Sequence, residues 1–185
     1  PNGVESEFFV HPEGNPERGE ELVCTATITE RKRVLELAEA AVAARTPLRV
    51  LGAPYGKDDP YFLRFAKLAR EHPDVIRYDG PVRDRAVLAH FYKSARGFVL
   101  LSTMESLSLS ALEAAAAGCP LLLSDLPWAR CTFGDRASYC PVADAGQTSQ
   151  ALRRFHAEAP TRPLPAPPPT WDEVADRLVA VYRAC

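Results

Sequence analysis

Ser102-Thr103-Met104-Glu105-Ser106-Leu107-Ser108-Leu109-Ser110-Ala111-Leu112-Glu113-Ala114-Ala115-Ala116-Ala117-Gly118-Cys119-Pro120 is the stretch on which the fold turns. Gly97-Phe98-Val99-Leu100-Leu101 precedes it and Leu121-Leu122-Leu123 follows it. An apolar run, a polar turn, an alanine-rich segment, a Gly stop and a second apolar run make a strand-helix-strand unit with both strands buried on two faces. Gly118 closes the helix and Pro120 opens the next strand. The helix is apolar nearly all round, which marks it as buried. Glu113 therefore stands out, because an unpaired charge there costs several kcal/mol and must find partners or neutralise.

Working outward, short apolar runs alternate with amphipathic segments of helical length, the pattern of repeated strand-helix units on a parallel sheet. Strands are predicted at Leu22–Ile28, Leu48–Leu51, Val75–Tyr78, Gly97–Ser102, Pro120–Ser124 and Ser138–Cys140. Helices are predicted at Lys32–Arg45, Pro60–Glu71, Asp84–Ser94, Leu107–Ala117, Thr148–Glu158 and Asp172–Arg183. In the third of these, Val87, Leu88, Phe91 and Tyr92 recur at the spacing of one buried face. The expected fold class is α/β: a Rossmann-like three-layer sandwich with a parallel sheet of about six strands and helices on both faces. The organisation reads as a domain over residues 1–159, a tether over 160–169 and a terminal helix over 170–185. Pro160–Pro169 holds six prolines in ten residues, too many for a helix or a central strand. Thr170 and Glu173 have capping-box spacing at the start of the last helix.

The composition is ordinary for a globular chain of 185 residues, with 46% hydrophobic and 25% charged residues. Lys+Arg number 22 and Asp+Glu 24, giving a net charge of −2, which argues against a basic nucleic-acid binder. No apolar run reaches the 18 or so residues that cross a bilayer. Five cysteines (Cys24, Cys119, Cys131, Cys140, Cys185) lack Cys-x-x-Cys spacing and read as reduced thiols, and four scattered histidines form no metal-ligand pattern. No secretory signal is present in this stretch.

In an open parallel sheet, ligands bind beyond the carboxyl ends of the strands. Two turns there carry unusual residues. After the fourth strand, Ser106 or Ser108 can cap a helix whose free N–H groups form an anion site, with Glu105 and Glu113 nearby. These parts suit a diphosphate-linked sugar, since a carboxylate can accept from both hydroxyls of a ribose diol. The competing reading makes Glu105 a surface loop residue and Glu113 a partly exposed helix residue. After the first strand, Arg31, Lys32 and Arg33 cluster where a helix dipole prefers acids; a bound anion or a solvated surface each accounts for that.

Glu105 and Glu113, within Ser-x-x-Glu-Ser-x-Ser-x-x-x-Leu-Glu-Ala-x-x-Ala-Gly-x-Pro (102–120), closely resemble the two-glutamate motif of retaining glycosyltransferases with the GT-B fold, especially glycosyltransferase family 4. The resemblance extends over most of the chain. Asn2-Gly3-Val4 with Phe8 or Phe9 looks like the start of the family's C-terminal domain, and Lys32 falls where the family has a lysine opening the first helix. Tyr78-Asp79-Gly80-Pro81-Val82 is similar to the segment beside the nucleotide base. Ser124-Asp125-Leu126-Pro127, Phe133-Gly134-Asp135-Arg136-Ala137 and Pro141-Val142-Ala143-Asp144 resemble the closing segment, and Trp171 with Tyr182 the last helix.

The resemblance implies the donor-binding half of an enzyme that transfers a sugar, of hexosyl type, from a nucleoside diphosphate sugar with retention of configuration. It implies that Glu113 binds the ribose hydroxyls, Glu105 contacts the donor sugar and Lys32 neutralises the diphosphate. Backbone N–H groups of Ser106, Leu107, Ser108 and Leu109 would hold phosphate oxygens, and Gly80, Pro81 and Val82 would lie against the base. Thr27 stands where the family carries a cation, so Arg31 or Arg33 must reach in to partner Lys32. The loop after Glu105 has Ser106 and Ser108 where the family usually has glycines. No cofactor and no metal are implied. The acceptor is expected mainly on an N-terminal domain, Pro1 falling near the inter-domain boundary, so the chain is expected to be inactive alone. The reduced thiols point to a cytoplasmic location, and the resemblance is compatible with peripheral membrane association of the full-length enzyme. Two alternatives stand beside this: a non-catalytic interaction or regulatory module of the same ancestry, and a nucleotide-sugar epimerase.

Overall fold

Runs without a polar side chain, Gly97–Leu100 and Leu121–Leu123, can be satisfied only in the middle of a sheet covered on both sides, and that is where they lie. The computed structural model describes residues 2–10, 17–142 and 144–184; of the features above, Pro1, most of the polar lead (11–16), Ala143 and Cys185 lie outside the described residues. Six parallel strands, β1 (Leu22–Thr25), β2 (Leu48–Leu51), β3 (Ile76–Gly80), β4 (Gly97–Leu100), β5 (Leu121–Ser124) and β6 (Ser138–Cys140), form one sheet in the order β3-β2-β1-β4-β5-β6. The helices among the described residues are α1 (Val34–Ala44), α2 (Pro60–Glu71), α3 (Arg85–Ser94), α4 (Leu109–Ala116), α5 (Pro127–Phe133), α6 (Ala145–Glu158) and α7 (Trp171–Ala184). The expected Rossmann-like α/β class is the observed one. Winding reverses between the neighbours β1 and β4, so the crevice beyond their carboxyl ends is the topological switch point.

Several boundaries differ from the sequence reading. The first strand ends at Thr25 and the fourth at Leu100, because the chain leaves the ladder to build the loops of the crevice. Helix α1 starts at Val34; Lys32 closes a 3-10 turn (Glu30–Lys32), and Arg33 follows in the left-handed region at φ 53°. Helix α4 starts at Leu109, with Ser108 as its cap, its Oγ accepting from Ala111 N at 3.4 Å; Ser106 and Leu107 precede it. Helix α6 starts at Ala145 because Asp144 caps it through Gln147 N at 2.6 Å. Helix α5, absent from the sequence reading, is seven residues long and opens on Pro127 at a position where a missing N–H costs nothing. On α3 the buried residues are Leu88, Ala89 and Tyr92, while Val87 is exposed, so the inward face is rotated from the one predicted.

Close approach explains two glycines. A Cβ on Gly97 would sit 2.6 Å from the Phe155 ring of α6, and one on Gly52 would sit 1.9 Å from Ala26 O. The second contact presses the end of β2 against the loop after β1. The segment before β1 is anchored by Arg18. Its guanidinium donates to Tyr92 O and Ala95 O (3.1 and 2.9 Å) at the end of α3, and to Ala117 O and Gly118 O (3.0 and 2.8 Å) at the end of α4. Carbonyls that a helix leaves unpaired at its end are thus satisfied for two helices by one side chain.

The Pro-rich stretch contains a 3-10 turn (Ala159–Thr161) and then runs without regular structure to Pro169. There Val4 N donates to Pro169 O at 3.0 Å, and Val4 bridges Thr170. The capping box forms as read: Thr170 N donates to Glu173 Oε2 (2.8 Å) and Glu173 N to Thr170 Oγ1 (3.2 Å). None of the described side chains of α7 is buried, and Trp171, Leu178, Val179, Val181 and Tyr182 are exposed. Among the described residues no helix is long and apolar enough to cross a membrane.

Candidate functional site

The loops leaving β1 and β4 meet at the switch point, and their backbones tie them together. Thr103 N donates to Arg31 O at 2.9 Å, and Ser124 Oγ and Trp128 Nε1 both donate to Ser102 O (2.7 and 3.2 Å). Trp128 on α5 thus props the turn that presents Glu105, a role hidden until α5 was seen. Lys32 Nζ lies 2.5 Å from Glu105 Oε1, and Arg31 Nη1 lies 3.4 Å from the same oxygen and 2.6 Å from Met104 O. The Glu105 side chain is only 8% exposed and that of Lys32 13%, whereas Arg31 is open to solvent. Three residues taken from two distant turns therefore form one cluster of net charge +1. The crowding of cations before α1 is answered internally by Glu105, so no bound anion is needed to account for it. Arg33 does not join them.

Behind Lys32 lies Cys24, whose thiol burial pushes up to about 12, the lysine charge opposing in part. Beside the cluster, Ser106 is exposed, Leu107 half-buried, Ser108 buried and Leu109 exposed at the start of α4. The first N–H groups of that helix face the same end of the sheet as every strand terminus.

About one turn further along α4, Glu113 is 7% exposed, not the partly exposed residue of the competing reading. Its Oε1 accepts from Arg85 Nη2 at 2.5 Å and its Oε2 from Tyr92 OH at 3.2 Å. Arg85 also donates to Glu5 Oε2 at 2.6 Å and lies 4.7 Å over the Phe8 ring. Burial works to lower the Arg85 value, but the hydrogen bonds to Glu5 and Glu113 outweigh it and hold the guanidinium above its usual range. Burial, reinforced by the Glu113 charge, pushes the Tyr92 phenol well up, so it stays a donor. The sequence reading placed Tyr92 on the buried face of this helix but named neither it nor Arg85 at the site, although an arginine directly after the capping Asp84 runs against helix polarity and is a readable signal.

A pocket of about 400 Å³ opens at the ends of β1, β2 and β3, lined by Thr25, Ala26, Thr27, Gly52, Tyr55, Pro81, Val82 and neighbours. Thr27, Pro81 and Val82 thus share one cavity; Gly80, at φ 73°, turns the chain into it from the end of β3 without lining it. Tyr55 at this pocket is 84% exposed and was missed, since nothing in its local pattern sets it apart. Among the described residues no group of three or more His, Cys, Asp or Glu is placed to hold a metal ion.

A Rossmann-like fold with this crevice is shared with solved glycosyltransferase structures. Its backbone superposes on sucrose-phosphate synthase from Thermosynechococcus elongatus with a TM-score of 0.73 at 22% identity, covering 100% of this chain and 51% of that one. On the C-terminal domain of a glycosyl transferase group 1 family protein from Francisella tularensis the TM-score is 0.71 at 17% identity, covering 88% of this chain and 92% of that one. The pneumococcal O-GlcNAc transferase, solved in complex with UDP and GlcNAc, gives 0.65 at 20% identity over 86% of this chain and 32% of that one. In sequence, residues 19–158 match the family Glycosyl transferases group 1, and the chain belongs to it. It is also 32% identical over 121 residues to the D-inositol 3-phosphate glycosyltransferase of Nocardiopsis dassonvillei, covering 60% of this chain and 28% of that relative. The chain thus spans less than a third of that relative's length.

Proposed function

We propose that this chain is the donor half of a retaining, hexosyl-type glycosyltransferase that binds a nucleoside diphosphate sugar in the crevice between β1 and β4. The observation that carries the reading is the Arg31–Lys32–Glu105 cluster, in which two cations and a carboxylate from separate turns converge beside the start of α4.

In this reading Lys32 and Arg31 face the diphosphate, Arg31 supplying the second cation that Thr27 does not. The N–H groups from Ser106 to Leu109 take the remaining phosphate oxygens. As the bond from the anomeric carbon to the diphosphate oxygen breaks, the leaving group keeps the electron pair, and these fixed donors stabilise its charge without a metal. Glu105 contacts the sugar. Glu113 accepts the ribose hydroxyls, and the pocket of Thr27, Pro81 and Val82 takes the base. The acceptor and the rest of the cleft belong to an N-terminal half, so the chain alone binds nucleotide and transfers nothing; a cytoplasmic setting goes with that substrate.

Calorimetric titration with UDP, GDP and their sugars tests this. Binding of one of them, lost in Glu113→Ala, is expected. A folded sample that binds none of them overturns the reading, and turnover by this chain at the rate of a two-domain enzyme overturns its dependence on a second half.

A further inference from the structure

We propose that Arg85 is a positioning residue, one that aims the Glu113 carboxylate at a ribose diol and joins that grip to the segment carrying Glu5 and Phe8. This rests on the reading of Glu113 given above.

Arg85 is the first residue of α3, where the exposed N–H groups and helix polarity disfavour a cation. An arginine with nothing to do would point into water. Instead its planar fork is drawn back between two carboxylates, Glu5 at 2.6 Å and Glu113 at 2.5 Å, and lies over the Phe8 ring at 4.7 Å. Such a fork fixes direction as well as charge, which a lysine does not.

Glu113 gains from this in a specific way. A carboxylate has about four acceptor positions. Arg85 takes one on Oε1 and the Tyr92 hydroxyl one on Oε2, so each oxygen keeps a free position. The side chain is 9% exposed, and its two free acceptor positions lie on adjacent oxygens of one carboxylate, an arrangement that vicinal hydroxyls can use. Tyr92 is held from behind by packing against Phe8 and Phe98, both with ring centroids at 5.8 Å. Two donors on one helix, α3, thus leave the carboxylate one orientation. The same guanidinium touches Glu5 and Phe8, in the segment that follows Val4, the residue paired with Pro169 and Thr170.

The test compares UDP and GDP with their 2′,3′-dideoxy analogues by calorimetry, on wild type, Arg85→Gln, Arg85→Lys, Glu113→Gln and the double variant Arg85→Gln/Glu113→Gln, each checked by its melting curve. Arg85→Gln is expected to lose about tenfold or more in affinity for the ribonucleotide and nothing for the dideoxy analogue, with partial recovery in Arg85→Lys. The double variant, which leaves no lone buried charge, is expected to bind the ribonucleotide as Glu113→Gln does. Equal losses for both nucleotides, or no loss for either, overturn the role of Arg85 while leaving the donor site standing. A Glu113→Gln variant that still prefers the ribonucleotide overturns the assignment of Glu113 instead, and a wild-type chain that binds none of the four overturns both.

Discussion

Replacing Glu105 by glutamine should tighten the binding of a nucleoside diphosphate, although Glu105 belongs to the site. The carboxylate sits 2.5 Å from Lys32 Nζ and 3.4 Å from Arg31 Nη1, so it competes with phosphate for the same two cations. Glutamine keeps the shape and removes one negative charge, raising the cluster from +1 to +2. A phosphate oxygen on the outer side of the ammonium would lie roughly 5–6 Å from the carboxylate, about two hydrogen bonds end to end. At an effective dielectric constant of about 20, one unit charge at that distance is repelled by about 3 kcal/mol. Arg31 is 42% exposed, and screening there lowers the figure to about 1–2 kcal/mol, a roughly 5- to 30-fold gain in affinity. Calorimetry of Glu105→Gln with UDP and GDP at low and high salt measures it, and the gain should shrink as salt is added. Unchanged or weaker binding at low salt would refute the premise that diphosphate and carboxylate share the cations. If sugar transfer by a two-domain enzyme carrying this half does not fall in the same variant, Glu105 has no part in the chemistry.

Lys32→Gln should act oppositely, weakening UDP or GDP about tenfold or more while leaving the nucleosides uridine and guanosine unchanged, by the same titration. Gly97→Ala should destabilise the fold by about 1–3 kcal/mol in urea unfolding, because its Cβ meets the Phe155 ring at 2.6 Å; pairing it with Phe155→Leu should return part of that loss. Stability should also decline in alkali. The thiols of Cys24 and Cys119 are pushed by burial from 9.0 up to about 12, so above about pH 9 the unfolded chain sheds protons that the folded chain keeps. Their contribution is full below pH 9 and is lost progressively toward pH 12, which urea midpoints across that range would reveal; Cys24→Ala/Cys119→Ala should flatten the slope. In a Cys185→Ser background, one thiol, the exposed Cys131, should react with a disulfide reagent in the native state, and the other three only on unfolding.

The sheet was legible because its central strands are apolar on both faces and its breakers stand at the joints: Gly118 and Pro120 each mark an end that the structure honours to within a residue or two. What escaped was set by contacts distant in sequence. Lys32 sits in a 3-10 turn because the loop from β4 reaches back and its Glu105 holds it there, information that the run Glu30-Arg31-Lys32-Arg33 does not contain. Helix α5 is short and weakly patterned, so only Trp128 bonding to Ser102 O shows why it forms. Glu113 was conspicuous as a charge in an alanine-rich helix, but its partners lie 21 and 28 residues away on α3, and spacing alone names neither. The pocket of Thr27, Pro81 and Val82 was half legible: the lining was named, while Tyr55 became visible only once β2 was placed between β1 and β3.

Arg18 has a bearing on motion. Helix ends ordinarily fray one at a time, each last turn opening and closing independently. Here the final carbonyls of α3 and α4 are held by a single guanidinium, so neither end can loosen without disturbing the other's anchor. The helix that carries Arg85 and the helix that carries Glu113 are thereby joined into one cooperative unit, and their last-turn amides should exchange with solvent at a common rate. Lysine at position 18, with one nitrogen in place of a fork, would let the two helices breathe separately, and the alignment of Arg85 with Glu113 would then fluctuate with each of them.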